Sequence, residues 1–75
     1  FNPSTTIQYA LPHDVHATVR VVNMLGQVIV TLVDEQQQSG VHSVHFDGSQ
    51  LASGVYLIQI FAGSDFGMRK MLLLK

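Results

Sequence analysis

Residues 54–74 read GVYLIQIFAGSDFGMRKMLLL, and this stretch decides the fold. From Gly54 to Ala62, β-branched and aromatic side chains alternate with the period of two that is typical of a strand. Gly63-Ser64-Asp65 then provides the residues of a tight turn, and a second apolar strand runs from Phe66 to Leu74. The stretch therefore predicts an antiparallel β-hairpin.

Four segments upstream of this hairpin also have the composition of β-strands. Each segment is a short run with β-branched or aromatic residues, closed by Gly, Pro, Asn, Asp or Ser. These predicted strands are Thr5–Leu11, Ala17–Asn23, Val28–Val33 and Val41–Phe46. No segment has helical periodicity, and the crossovers that a parallel sheet needs are missing. We predict an all-β fold, an immunoglobulin-like antiparallel sandwich of six to seven strands that forms one domain over residues 1–75.

Two segments allow more than one interpretation. Val28–Val33 is apolar on both faces except for Thr31, so it is either a central strand or one with a bulge that shifts its register. Asp34–Gly40 is polar and ends in glycine, and we expect a flexible loop there rather than a helical turn.

Composition excludes several classes of partner. Charged residues make up 12% of the chain, and the four basic residues are balanced by five acidic ones. Only Arg69, Lys70 and Lys75 lie near one another, on alternating faces of one strand, so nucleic acid is not expected as a partner. The chain has no cysteine and therefore no disulfide or thiolate metal site. Its longest apolar run, Met71–Leu74, is far too short to span a bilayer.

The two ends of the chain suggest its context. Because it begins at Phe1 rather than Met, we expect a fragment of a longer polypeptide, in which any export signal would lie upstream. It ends on a regular apolar strand rather than on a polar tail, which suggests an end that is either buried or bound by a partner.

Four histidines invite a metal hypothesis, but their spacing argues against it. His42 and His45 lie three residues apart on a strand, so they point to opposite faces. His13 and His16 flank a turn where they could meet with Asp14, yet such loop ligands make a weak site. We predict no metal site, with His42 at the rim of the core beside Val44 and Phe46, and His45 in solvent.

The sequence also lacks an arrangement for catalysis. All five acidic residues fall in predicted turns, and Ser53 has no nucleophile-elbow context. Asp47-Gly48-Ser49 offers only one carboxylate, too few for calcium. Without tryptophan, and with Tyr9 and Tyr56 predicted to point inward, a sugar-binding platform is not expected either. We predict a protein that is not an enzyme and has no cofactor.

Two features of the strand Gly54–Ala62 call for structural explanations. Tyr56 resembles a tyrosine corner, in which the hydroxyl ties the preceding loop to the strand. Leu57 and Phe61 lie on the face opposite Tyr56, where they either fill a second buried layer or form a patch for a partner.

The motifs in their order resemble the C-terminal sorting domains of the type IX secretion system, the type A sorting domain family. The resemblance covers essentially the whole chain and rests on four pieces. They are Phe1 to Ile7 with Asn2-Pro3, Leu25-Gly26-Gln27 before Val28 to Leu32, Phe46-Asp47 with Leu51 to Tyr56 including Gly54, and the closing Lys70 to Lys75.

The resemblance implies a function. In Bacteroidetes and their relatives such a domain is a small β-sandwich at the end of a large secreted protein. It would act as a signal that carries the upstream cargo domain across the outer membrane to the cell surface or exterior. Its partners would be the outer-membrane secretion machinery and a sortase-like peptidase that removes the domain. We expect the machinery to read the closing strand, which consists of Lys70, Met71, Leu72, Leu73, Leu74 and Lys75.

Alternation within this closing strand refines that expectation. Met71 and Leu73 share one face and Leu72 and Leu74 the other, so we expect both faces to be covered. The machinery would then read only the rim, Lys70 and Lys75.

Other interpretations remain open at this point. The family commonly opens with a longer Pro-Asn-Pro stretch, so a first strand or a linker before Phe1 is expected to be missing. The main alternative function is an immunoglobulin-like adhesion or cell-attachment module of a secreted enzyme, and a plain spacer is a third. Weak pairing of two copies through exposed strand edges is also open.

Overall fold

The computed structural model describes residues 3–74, and within them the chain is all-β. The described part contains six strands and no helix, so each predicted strand is present. The strands are β1 (Ser4–Leu11), β2 (Val15–Val22), β3 (Val28–Gln37), β4 (Gly40–Asp47), β5 (Gly54–Ala62) and β6 (Asp65–Leu73). Of the residues named above, Phe1, Asn2 and Lys75 lie outside the described range.

The strands form two antiparallel sheets that pack as a small sandwich. The smaller sheet pairs β1 with β4, and the larger sheet has the order β3-β2-β5-β6. β2–β3 and β5–β6 are hairpins, whereas Pro12-His13-Asp14 carries the chain from the smaller sheet to the larger one. The fold class predicted from the sequence is confirmed.

The core lies between the sheets and follows the alternation of the strands. Each sheet turns one face inward, where the apolar side chains are nearly inaccessible to solvent. The core cluster comprises Ile7, Tyr9, Leu11, Ala17, Val19, Val21, Phe46, Tyr56, Ile58, Ala62 and Leu73. Burying a side chain the size of Ile58 or Leu73 contributes about 1.5–3 kcal/mol, so this layer holds the fold without disulfides.

β3 is longer than the sequence indicated, and the loop predicted over Asp34–Gly40 is wrong for its first part. β2 begins at Val15, which gives Gln36 and Gln37 backbone partners in His16 and Val15. The Tyr9 hydroxyl also donates a hydrogen bond of 2.6 Å to Oε1 of Gln37. Polar residues form a strand here because β3 is an edge strand whose outer side chains meet solvent.

The register of β3 decides between the two interpretations of Val28–Val33. The ladder with β2 shifts twice, between Val19 and Arg20 and between Val21 and Val22. The segment is therefore bulged and lies at the sheet edge rather than at its centre. The bulges leave Val28 and Ile29 exposed while Leu32 packs against the core.

Glycine has two different uses in the turns. At the tip of the β2–β3 hairpin Gly26 has a φ of 83°, and its N–H donates to the carbonyl of Asn23 at 3.0 Å. Gly48 begins the turn after β4, where its carbonyl accepts a hydrogen bond of 2.9 Å from the N–H of Leu51, and it does so without a positive φ. A Cβ at Gly48 would lie 3.2 Å from Leu73, so the glycine makes room for the closing strand.

Candidate functional site: the closing strand and the outer sheet face

The loop before β5 is fixed by Tyr56, as the tyrosine-corner resemblance predicted. Tyr56 is buried, and its hydroxyl donates a hydrogen bond of 2.7 Å to the carbonyl of Ala52. This contact holds the loop against the start of β5, the strand on which β6 is paired.

β6 presents two unlike faces. Its pairing with β5 places Met71 and Leu73 inward, where Leu73 is fully buried and Met71 packs partly against the core. Leu72 and Leu74 are about half exposed, at 50% and 54%. The expectation that both faces of this strand are covered is therefore wrong, because no described element lies over the outer side of the larger sheet. Lys70 is exposed on that same outer side.

The strand registers define what we call the outer face, the surface of the larger sheet turned away from β1 and β4. Phe61 pairs with Phe66, Gln59 with Met68, and Leu57 with Lys70. On the neighbouring strand β2, Arg20 lies opposite Gln59. The accessible residues of the outer face are mainly Thr18, Arg20, Leu57, Gln59, Phe61, Phe66, Met68, Lys70 and Leu72.

Leu57 and Phe61 contribute to this surface rather than to a second buried layer. Both are only partly buried, and the ring of Phe61 packs against Phe66 with a centroid distance of 4.9 Å. Phe66 and Met68 remain 53% and 52% exposed. Of the two interpretations from the sequence, the exposed apolar patch fits the structure.

The histidines do not come together. His42 stacks on Tyr9 at 5.6 Å, and its Nε2 donates to the carbonyl of Gln38 at 2.7 Å, so it lies at the rim of the core as expected. His45 is exposed. His16 reaches Asp34 instead of His13 or Asp14, and no group of three metal-ligating side chains forms within residues 3–74.

Two exposed carboxylates have local partners that shift their protonation. Nε2 of His16 lies 2.6 Å from Oδ1 of Asp34, and this hydrogen bond lowers the pKa of the Asp34 carboxyl. The backbone N–H of Ser49 donates to Asp47 at 2.9 Å and likewise lowers the pKa of that carboxyl. Each carboxylate therefore accepts a hydrogen bond from a group of the fold itself, Asp34 from a side chain on the neighbouring strand and Asp47 from the backbone of its own turn. These contacts explain the two lowered pKa values without a ligand.

Neither of two shallow grooves formed by the described residues has a catalytic arrangement. The first, of about 310 Å³, runs between β1 and β6, and its charged lining residues are Asp65 and Arg69. Asp65 and Arg69 lie four residues apart on β6, and a single carboxylate is not the acid–base pair that hydrolysis requires. The second, of about 250 Å³, lies between β3 and the loop after β4, and is lined mainly by apolar residues such as Leu32 and Leu51.

Sequence reasoning identified β6 but missed Arg20. The alternation of β2 places Arg20 outward, and that much is visible in the sequence. Its neighbours Gln59 and Phe61 lie about forty positions further along the chain, so only the pairing of β2 with β5 brings them together.

The comparison with protein families identifies the chain. The family model described as secretion system C-terminal sorting domain matches residues 2–74. The chain therefore belongs to the family of type IX secretion C-terminal sorting domains. Comparisons with curated proteins and with solved structures returned no match.

Membership in this family has direct consequences. Such a domain is attached to a cargo, interacts with the secretion machinery, and accompanies export to the cell surface or the exterior. Sorting domains are generally non-catalytic. Within residues 3–74 the structure has no helix long and apolar enough to cross a membrane.

Proposed function

We propose that this domain is a non-catalytic signal that directs a larger cargo protein across the outer membrane, and that β6 is the element the secretion machinery reads. The observation that carries the proposal is the division of the closing strand into a buried and an open side. Leu73 fixes the strand in the core, while Lys70, Leu72 and Leu74 remain accessible.

The division assigns different tasks to the proposed recognition residues. Lys70, Leu72 and Leu74 make the contacts with the machinery. Met71 and Leu73 keep the strand in position through their packing. Lys75 lies outside the described residues, and its part in recognition is proposed from the sequence alone.

A secretion assay tests the proposal. The 75-residue domain is fused behind a fluorescent cargo and expressed in a bacterium that carries type IX machinery, and cargo in the medium and on the cell surface is measured. Deletion of Lys70–Lys75 is expected to abolish export. The double variant Leu72→Ser with Leu74→Ser is expected to reduce export strongly while the domain still folds.

The matched control is Val41→Ser, which removes a side chain that is 75% exposed on the opposite sheet. It is expected to leave export unchanged. Thermal melting of each purified domain separates loss of recognition from loss of folding. Undiminished export of the deletion variant, or an equal loss in the Val41 variant, would show that β6 is not what the machinery reads.

We further propose that a sortase-like peptidase separates the domain from its cargo after export. The same fusion tests this point, because cleavage lowers the mass of the exported cargo by that of the domain, 8.3 kDa. Full-length fusion at the cell surface, with no shortened cargo, would contradict it.

A further inference from the structure

Arg20 is the most unusual side chain of the outer face. Its Nη2 donates a hydrogen bond of 2.9 Å to Oε1 of Gln59, and its guanidinium carbon lies 4.8 Å from the centre of the Phe61 ring. The residue is partly buried, and its Nε is buried without an acceptor within residues 3–74. A guanidinium held in this way keeps its charge while losing hydration, which costs free energy unless an anion compensates it.

No carboxylate within the described part of the chain supplies that compensation. By strand register, the carboxylate on the outer face is that of Asp34, beside Thr18. Its Oδ1 already accepts from His16 at 2.6 Å and lies 3.4 Å from the hydroxyl of Thr18. Arg20 makes no salt bridge with a described residue.

A second cation shares the surface. Lys70 is exposed, lies opposite Leu57, and makes no salt bridge within residues 3–74. Along β6 it stands between Met68 and Leu72, which are 52% and 50% exposed. The outer face thus presents two cations without carboxylate partners among half-exposed aromatic and aliphatic side chains.

We propose that the outer face binds a protein segment that presents carboxylates between apolar side chains. The carboxylates pair with Arg20 and Lys70, and the apolar side chains cover Phe66, Met68 and Leu72. Arginine, methionine and aromatic residues are the types enriched in protein interfaces. This proposal rests on the proposed function, in which the secretion machinery recognises β6, and it adds the chemical character of the segment that binds.

The test uses the purified 75-residue chain and a short capped peptide of alternating leucine and glutamate. Versions with glutamine or lysine in place of glutamate are the matched probes. Binding is followed by amide NMR shifts, which also report whether each variant is folded. We expect the glutamate peptide to shift amides of β2, β5 and β6 around the outer face, and to bind at least about tenfold more tightly than the glutamine peptide.

Variants of the chain locate the contact. Arg20→Gln is expected to weaken binding of the glutamate peptide about tenfold, and Lys70→Gln by a factor of about two to five, as for an exposed ion pair. Arg69→Gln is the matched control, because Arg69 is on the same strand but pairs with buried Ile58 and faces the other way. It is expected to change binding little. Lys70→Glu should strengthen binding of the lysine peptide, which keeps the proposal testable if Arg20→Gln fails to fold.

Four results would overturn the inference. The first is equal binding of the glutamate and glutamine peptides, and the second is an equal loss in the Arg69 variant. The third is a change in the amide shifts of the outer face with protein concentration in the absence of peptide, which would assign the face to a second copy. The fourth is binding to vesicles of anionic lipid that exceeds binding to the peptide, which would assign the face to a membrane.

Failure of this inference is distinct from failure of the proposed function. If the double variant Leu72→Ser with Leu74→Ser stays folded and loses export but the peptide does not bind, the secretion machinery recognises β6 by other chemistry. If the peptide binds as expected but the deletion is exported normally, the outer face has a partner that is not the secretion machinery.

Discussion

The hydroxyl of Tyr56 lies 2.7 Å from the backbone carbonyl of Ala52, four residues earlier in the chain. The hydrogen bond spans the loop that leads into β5, so it fixes the entry of the strand on which β6 depends. Tyr56→Phe keeps the ring and removes the donor, leaving the carbonyl to find another partner. We expect a loss of about 1 kcal/mol in the free energy of unfolding, measured by urea denaturation.

A larger loss from Tyr56→Ala, which also removes the buried ring, would separate the contribution of packing from that of the hydroxyl. If Tyr56→Phe unfolds at the same urea concentration as the original domain, the contact does not stabilise the loop.

Truncation to alanine should destabilise the domain strongly at Leu73 and very little at Leu74. Leu73 is fully buried, so Leu73→Ala leaves a cavity beside Gly48 and is expected to cost about 2–5 kcal/mol of stability. Leu74 is 54% exposed, and Leu74→Ala is expected to change stability by less than about 0.5 kcal/mol. Thermal and urea unfolding of both variants measure the difference. Equal effects would contradict the division of β6 into a buried and an open side.

The β2–β3 turn should depend on glycine at one position. Gly26 has a φ of 83°, a conformation that a side chain disfavours, so Gly26→Ala is expected to destabilise the domain by about 1–3 kcal/mol. Gly67→Ala is the matched control, because Gly67 has no positive φ and a Cβ there would meet open space. Its unfolding midpoint should remain close to that of the original domain, and a similar loss in both variants would rule out the conformational explanation.

Acid should weaken the contact between Asp34 and His16. The hydrogen bond from His16 lowers the pKa of Asp34 in the folded protein relative to its ordinary value near 4. The carboxylate therefore contributes stability above about pH 4, and this contribution is lost as the pH falls through the lowered folded pKa. Urea midpoints between neutral and acidic pH should fall less steeply for Asp34→Asn than for the original domain. An unchanged slope would show that the pair does not couple folding to protonation.

The sequence was a good guide wherever one strand carried its own pattern. The strands β1, β2, β4 and β5 follow from alternation and turn residues, and the inward position of Tyr56 follows from the same alternation. It failed at Asp34–Gln37, where the polar composition suggested a loop. That segment is a strand because its backbone pairs with that of Val15 and His16, and amino-acid composition does not predict such pairing.

The sequence likewise predicted one part of the candidate site and not the rest. The closing strand was recognisable from its apolar residues and flanking lysines. Whether Leu72 and Leu74 were covered could not be decided from alternation, because alternation separates two faces without saying what lies over either one. Arg20 could not be assigned to the site at all, since its contacts with Gln59 and Phe61 depend on which strands are neighbours.

The sequence by itself determined an all-β sandwich and most of its strand positions, because alternation and turn residues are local features of the chain. The resemblance to the family rests on the order of the motifs and not on periodicity. The tertiary structure alone decided that β3 is a bulged edge, that Gly48 makes room for Leu73, and that the outer face joins Arg20 to Lys70 and the exposed residues of β6. Those features arise from pairing between distant strands, whose register is set by the whole core rather than by any one segment.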